Sequence, residues 1–494
     1  MPEDSRVSPL DMPADDFRRH GHELIDQIAD FLQSWEGRPV TPGESPAQVR
    51  ALLTGAAFRE QGEDEGEVLQ SAWRLLTEHS LFNGHPRYGG YVISSAAPIG
   101  SLADLMASAV NPNVGAWILS PIATEIELQT IRWIAEFIGY PTNGGGLLVS
   151  GGNMANFVGF LAARRAKAGA GIRSAGVASG GRLLVYTSRE THTWIQKAAD
   201  LFGLGTDAIR WIPADSSYRM DVALLRQTIK QDLAAGGRPF FLSASAGTVS
   251  TGAVDPLPEL ARVAREYDLW FHVDGAYGGP AAALPDASED MKGLALADSV
   301  ALDPHKWLYA PVEAGCTLVR DAGVLRDTFD YSPAYYHFQA DAEEAPLNFY
   351  TVGPQNSRGF RALKVWVALR TAGREGLRRM IADDIALAEA LYREVQRYGE
   401  LEAFAQGLSI ATFRYVPPGV DREDPYLNQL NEQLLERIQK SGELFLSNAL
   451  LNGKFALRMC IVNFRTTMAD VRAIPEIVIR LGREVHSRSG PSAA

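Results

Sequence analysis

Two cysteines, Cys316 and Cys460, are the whole thiol complement of this 494-residue chain. So few exclude a disulfide-stapled secreted scaffold. Each sits in an apolar context, Gly-Cys-Thr-Leu-Val and Arg-Met-Cys-Ile-Val, which predicts two buried thiols. No stretch approaches the ~18 to 20 apolar residues that span a bilayer, so no membrane span is expected. The opening residues MPEDSRVSPLDMPADD lack a basic start followed by an apolar run; no secretory signal is expected, and the cytoplasm is the default location. Basic residues are also scarce: 47 Lys plus Arg face 59 Asp plus Glu, a formal charge of -12. That balance argues against nucleic acid or anionic lipid as partner and leaves, at most, a local basic pocket for one small anion.

What the chain has is apolar substance, 46% hydrophobic against 21% charged, enough for a large core and too much for extended disorder. Its length predicts two or three packed domains. In residues 15–35, Phe17, Leu24, Ile28, Phe31, Leu32 and Trp35 recur at helical spacing, and a second helix is expected over 64–79. A helical segment with one greasy face needs a partner surface, which an oligomer provides as another subunit. From 96 to about 370, helical stretches alternate with short apolar runs at 182–186, 240–244, 270–273, 299–302 and 316–319. Such alternation predicts an α/β fold with a mostly parallel sheet between helices and with ligands at the C-terminal strand ends. Residues 331–357, with Tyr331, Pro333, Tyr335, Tyr336, Phe349 and Tyr350, read as a long functional loop. The remainder mixes helices with candidate strands at 408–415 and 455–463. We therefore expect an N-terminal helical segment (1–95), a large ligand-binding domain (96–372) and a small C-terminal α+β domain (373–494).

The motifs fall at the strand exits. Ser299-Val-Ala-Leu-Asp-Pro-His-Lys-Trp307 ends a strand and presents Lys306. Its amine can form an imine with a carbonyl once desolvation or neighbouring cations remove its proton; on position alone it reads as a solvated surface lysine, since most lysines are exposed. Trp270-Phe-His-Val-Asp-Gly-Ala276 ends in Asp274, an acid suited to a protonated pyridine nitrogen or, taken alone, to capping a helix. The small Gly275 and Ala276 leave room for a flat ring. Ser150-Gly-Gly-Asn-Met-Ala-Asn156 opens a helix whose free N–H groups, at Gly152 and Asn153, favour a phosphate, although a glycine-rich start also serves close packing. Thr248, Ser299 and His305 are candidates for further contacts there. His192, in Glu190-Thr-His-Thr-Trp194, offers an imidazole to stack on a ring and handle protons; a lone histidine is more often structural, and the weight lies in the set. Anion site, stacking imidazole, pyridine acid and imine lysine together describe a seat for pyridoxal 5′-phosphate, with no metal.

These residues resemble the pyridoxal-dependent group II amino-acid decarboxylases, most of all those acting on aromatic L-amino acids. The resemblance runs over roughly 15 to 485. It is carried by Asp-Pro-His-Lys-Trp at 303–307 and His-Val-Asp-Gly-Ala-Tyr at 272–277, with Phe17-Arg-Arg, Glu36-Gly-Arg, His85-Pro86, Ser120-Pro121 before Thr124-Glu125, and Phe360-Arg-Ala-Leu-Lys364. It implies a fold-type I, aspartate-aminotransferase-like homodimer with active sites at the subunit interface and the N-terminal helices on the partner. It also implies Lys306 as Schiff-base lysine, Asp274 as pyridine partner, His192 as stacking residue, and Gly152 and Asn153 in the phosphate cup. The reaction implied is loss of CO₂ from an amino acid to give the amine.

The family's mobile loop carries a tyrosine that protonates the α-carbon. Ungapped counting back from Phe360 puts Phe349 there, with Tyr350 one residue on. Tyr350 is the expected donor, because amine formation needs a proton donor and loop registers slip easily. Relatives with Phe at that place act as aldehyde synthases, which is the alternative reading; a catalytically silent scaffold is a third, against which the retained Lys306 and Asp274 argue. In the family, the segments matching Tyr91-Val92-Ile93 and Val114-Gly115-Ala116-Trp117 line the side-chain pocket, and Arg458 matches an arginine near the site. Tyr91 and Trp117 agree with an aromatic substrate. Val92, Ile93 and Gly115 depart from the usual aromatic or proline residues and are expected to open space. No added basic residue favours glutamate.

Overall fold

The strands that build the centre of the molecule are mostly apolar, as strands covered on both faces are. The computed structural model describes residues 8–55, 57–169, 171–331 and 346–489. Seven strands, β1 (Gly145–Val149), β2 (Leu183–Ser188), β3 (Ile209–Ile212), β4 (Arg238–Ser245), β5 (Trp270–Asp274), β6 (Ser299–Leu302) and β7 (Gly315–Val319), form one sheet in the order β1-β7-β6-β5-β4-β2-β3. Only β7 runs against its neighbours; β2 to β6 pair in parallel. Every residue of β2, β6 and β7 is buried. The mostly parallel sheet agrees with expectation, and the five predicted runs are β2, β4, β5, β6 and β7.

Two strands are additions. β1, Gly-Gly-Leu-Leu-Val, opens on glycines, and β3, Ile-Arg-Trp-Ile, is an edge strand of 4 residues. Both are too short to show a period and are strands because a neighbour pairs with them. A second, antiparallel sheet in the order β10-β11-β9-β8 belongs to the C-terminal domain: β8 (Leu401–Gly407), β9 (Ile410–Tyr415), β10 (Ser447–Leu451) and β11 (Lys454–Cys460). The helix Ala362–Val395 joins the two sheets, breaking its helical path at Gly373 (φ 63°, ψ 171°), a conformation that glycine reaches at little cost.

At the N-terminus, the helices Ala14–Gln33 and Glu65–Glu78 follow the predicted spans. Phe31 anchors them, with ring centroids of Trp35, Trp73 and Phe82 at 4.9, 5.8 and 5.7 Å. Both cysteines are buried thiols, and burial pushes Cys460 up to about 11. No helix among the described residues is long and apolar enough to cross a membrane.

One ion pair lies deep in the core. The side chains of Glu127 and Arg358 are 0% and 1% exposed. The Arg358 guanidinium also donates to the carbonyls of Val114 at 3.0 Å and Leu148 at 2.7 Å, while Glu127 accepts the Leu148 N–H at 2.9 Å. The pair thereby ties the helix Pro121–Phe137 and the chain near 114 to β1. Removing one partner strands the other charge, so Arg358→Met should cost about 3 to 5 kcal/mol in urea unfolding. Glu127→Gln combined with Arg358→Met should recover part of that loss, and a neutral single variant would contradict the role.

Candidate active site

Parallel pairing places three strand exits level: Ser245 of β4 is in register with Asp274 of β5, and Asp274 with Ala301 of β6. The turns that follow carry Thr248, Ala276 and the Asp303–Lys306 segment into one cavity of about 430 Å³, whose wall also holds Val92, Gly152, Asn153 and His192. The helix Gly152–Lys167 begins there with no side-chain cap, so its first N–H groups face an open site. Gly151 has φ 119°, and a Cβ on Gly152 would stand 2.6 Å from Asp303 Oδ2 and 3.3 Å from the Ala276 Cβ. Glycine is required at 151 by backbone angle and at 152 by close approach.

Lys306 is not a solvated surface lysine. Its side chain is 21% exposed and its Nζ lies 3.0 Å from Oδ2 of Asp303, which is 3% exposed. The residues after it are clamped: Asp384, on the long helix, accepts from Trp307 Nε1 at 2.9 Å and from the Tyr309 hydroxyl at 2.6 Å, and burial pushes its carboxyl up to about 7. Asp274 lines the cavity and accepts the Ala276 N–H at 3.1 Å. At His192, Nδ1 accepts the Trp194 N–H at 3.3 Å, and burial lowers the imidazole's pKa against the opposing pull of Asp274, which favours the neutral ring. His305 is held through Nδ1 at 2.7 Å from the Ala314 carbonyl. Thr248 Oγ1 shares a 3.0 Å hydrogen bond with Thr251 and accepts the Ala253 N–H at 3.1 Å.

Ser299 does not face the cavity. Its Oγ lies 2.8 Å from Trp270 Nε1 and 2.8 Å from His272 Nδ1; His272 Nε2 lies 2.7 Å from Asn156 Oδ1, and Asn156 donates to the Gly152 carbonyl at 2.8 Å. This buried chain supports the helix start from behind. The wall is not basic: among the described residues it carries the carboxylates of Glu190, Asp274, Asp303 and Glu313, one ammonium, Lys306, two histidines and no arginine. Besides Lys306, the cavity offers an anion the uncapped N–H groups of the helix start. Glu190, Asp303, Asn156, His272 and Asp384 do not stand out in the sequence, although Asp303 belongs to the same motif as Lys306 and Glu190 lies two residues before His192.

Of the residues matched to a side-chain pocket, Val92 lines the cavity and the others do not. Tyr91 is 60% exposed. Gly115 opens no space: a Cβ there would overlap the Asn356 carbonyl. Trp117 bonds through Nε1 to Glu125 at 3.0 Å. Phe349 is fully buried, with the Arg358 guanidinium 4.3 Å from its ring centroid, and the half-buried Tyr350 donates its N–H to the Gly115 carbonyl at 3.1 Å. Arg458 is buried and braces the carbonyls of Val249 (2.6 Å) and Tyr91. Pro333, Tyr335 and Tyr336 of the expected loop lie outside the described residues.

The profile of the pyridoxal-dependent decarboxylase conserved domain matches residues 46–416. The chain belongs to that family. An aromatic-L-amino-acid decarboxylase of Bacillus atrophaeus is 34% identical over 96% of this chain and 97% of its own length. A phenylacetaldehyde synthase of Arabidopsis thaliana is 30% identical over 92% and 93%. In structure, the chain is similar to the Oryza sativa enzyme TDC solved with PLP and tryptamine, with a TM-score of 0.89 and 28% identity over 97% of this chain and 99% of that one. This PLP-dependent decarboxylase is therefore a carboxy-lyase of fold type I. Its cavity fits the cofactor on its own chemistry: an amine at Lys306, an acid at Asp274, a ring at His192 and an uncapped helix start for the phosphate.

The buried chain behind the helix start makes stability pH-dependent. Burial lowers the His272 imidazole from 6.5 to about 4. Between those values the unfolded chain binds the proton and the folded one does not, so stability is full above pH 6.5 and falls as pH drops toward 4. A tenfold difference in proton affinity between the two states corresponds to ~1.4 kcal/mol, giving about 3 kcal/mol for this site. His272→Gln should flatten the slope of unfolding free energy between pH 6.5 and 5 by close to one proton; an unchanged slope would remove His272 as its source.

Proposed function

We propose that this decarboxylase acts on an aromatic L-amino acid and releases the amine and CO₂. The observation that carries the reading is the convergence of Lys306, Asp274, His192 and the Gly152 helix start on one cavity, joined to similarity with relatives named for aromatic substrates. When bound, the cofactor supplies an electron sink for the bond that breaks at the α-carbon. Lys306 would hold the cofactor through its side-chain amine. Asp274 keeps the pyridine nitrogen protonated. Neutral His192 covers a ring face and can take or return a proton. Thr248, Ala276, Asn153 and His305 complete the seat, and Val92 offers an apolar wall to a substrate ring. A wall of this kind separates phenyl, phenol and indole rings by only ~1 to 3 kcal/mol, so several aromatic amino acids should compete.

The pocket is completed by a second copy of the chain. Leu102, Leu105, Met106, Val110, Leu119 and Ile122 form an exposed apolar face, with Val110 77% and Ile122 71% exposed. A homodimer buries this face, and carries the segment from Gly115 to Trp117, with Tyr350 bound to it, toward the partner's cavity. Tyr350 then donates the proton that yields amine. Leu105→Glu with Ile122→Glu should give monomers in sedimentation and lose activity in proportion; full activity as a monomer would contradict the shared site.

A second reading, decarboxylation with oxidative deamination, is favoured by Phe349 at the counted position and by similarity to a phenylacetaldehyde synthase. The test is a panel of amino acids incubated under air, with CO₂, amine, aldehyde and peroxide quantified together. We expect amine and CO₂ in equal amounts from tyrosine, tryptophan or phenylalanine; stoichiometric aldehyde, ammonia and peroxide would establish the second reading instead. Lys306→Ala should abolish both turnover and the visible absorption of bound cofactor, and full activity in that variant would overturn the assignment.

A further inference from the structure

β1 is the last strand of the large sheet, so one of its edges has no strand beside it. At Leu148 that edge is covered by Glu127 and Arg358. Toward the start of the strand a second cavity of about 510 Å³ opens, which shares no residue with the cofactor cavity. The helix Pro121–Phe137 closes one side of it and the helix Gly323–Phe329 the other. Both helices come close because β1 begins on glycines: a Cβ on Gly146 would stand 3.0 Å from Ile131 Cγ2, and one on Gly145 2.9 Å from the Ala322 Cβ. The groove between the helices is therefore formed before anything enters it, which spares a ligand the cost of ordering its walls.

Two kinds of group line this groove. Leu128, Ile131, Leu325, Leu347 and Val352 are apolar, and Arg132 and Arg326 belong to the two opposing helices. Neither arginine has an acidic partner among the described residues, in a chain with 59 acids to 47 Lys plus Arg. Among those residues the wall holds one carboxylate, Glu125, which is already engaged by Trp117 Nε1 at 3.0 Å. The wall thus has a cationic surplus beside hydrocarbon, the reverse of the cofactor cavity with its four carboxylates and one ammonium. Guanidinium forks match the two oxygens of a carboxylate, and an alkyl chain gains by leaving water for the leucine, isoleucine and valine side chains. We propose that this groove is a binding site for an amphipathic carboxylate of medium chain length, its head held by Arg132 and Arg326 and its alkyl chain laid along Leu128, Ile131 and Leu325. Such a ligand has no α-amine, so it is no substrate of the decarboxylase and occupies its site while the cofactor cavity works.

The test is titration calorimetry of the cofactor-loaded enzyme with octanoate, and with 1-octanol as a probe of the same length without the charge. Octanoate should bind once per chain and leave the visible cofactor band unchanged, with octanol at least about tenfold weaker. Arg132→Gln combined with Arg326→Gln should weaken octanoate by at least about tenfold and octanol little, as loss of charge-assisted hydrogen bonds requires. Leu128→Trp, which fills the groove and keeps both arginines, should abolish binding of either probe. Heat absent up to about 10 mM octanoate would overturn the proposal, since an affinity weaker than that is no site. Equal affinity for octanol would remove the carboxylate from it, and octanoate binding unchanged in both variants would place the ligand elsewhere. Should the double variant fail to fold, Leu128→Trp decides alone, its cofactor band reporting that the chain is intact.

Discussion

Parallel pairing of β4, β5 and β6 is the constraint on which the rest of this molecule depends. In a parallel sheet every chain must leave from the same edge, so the residues that follow Ser245, Asp274 and Leu302 are delivered together regardless of their separation in sequence. β1 also exits there, because β7 reverses between it and β6. That single reversal brings the Ser150–Gly152 turn and its helix start over the turn that bears Lys306. The required glycine at 152 follows from how closely these two turns pass.

Burial of charge shapes what this edge can do. The cavity combines four carboxylates with one lysine, in a chain already negative by 12 charges. Beyond Lys306 and two histidines, what this wall offers an anion is the uncapped start of the helix Gly152–Lys167, whose backbone N–H groups are held in place once the helix exists. The same shortage gives Lys306 a defined station beside Asp303, and Asp384 fixes the following turn by holding Trp307 and Tyr309. The loop is thus anchored on both sides of the Lys306 amine, by the cavity wall on one side and by the helix that joins the two sheets on the other.

Much of this is legible in the chain's residue order. Five of the seven central strands announce themselves as buried apolar runs, and Lys306, Asp274, His192, Gly152, Asn153, Thr248, Ala276 and His305 do share one cavity. The failures have physical causes. β1 and β3 are strands by virtue of their neighbours and carry too few residues for a period. Ser299 lies at the start of β6, whereas Lys306 follows its end, so the serine turns into the layer behind the sheet and bonds to His272. Gly115 reads as an emptied pocket position and is instead a contact with the Asn356 backbone.

By itself, the sequence determined the class of fold, the family and the cofactor, because these rest on apolar periodicity and on short motifs whose chemistry is local. Tertiary structure alone decided the electrostatics of the site. Asp303, Glu190 and Glu313 are ordinary acids in the sequence, and become consequential only when strand polarity gathers them around a single ammonium in a buried space. It also decided that Phe349 belongs to the core beneath Arg358, since a cation buried among carbonyls needs partners that the chain brings from residues 114, 127 and 148. Contacts between residues so far apart leave no trace in local sequence pattern, and only the folded sheet sets them.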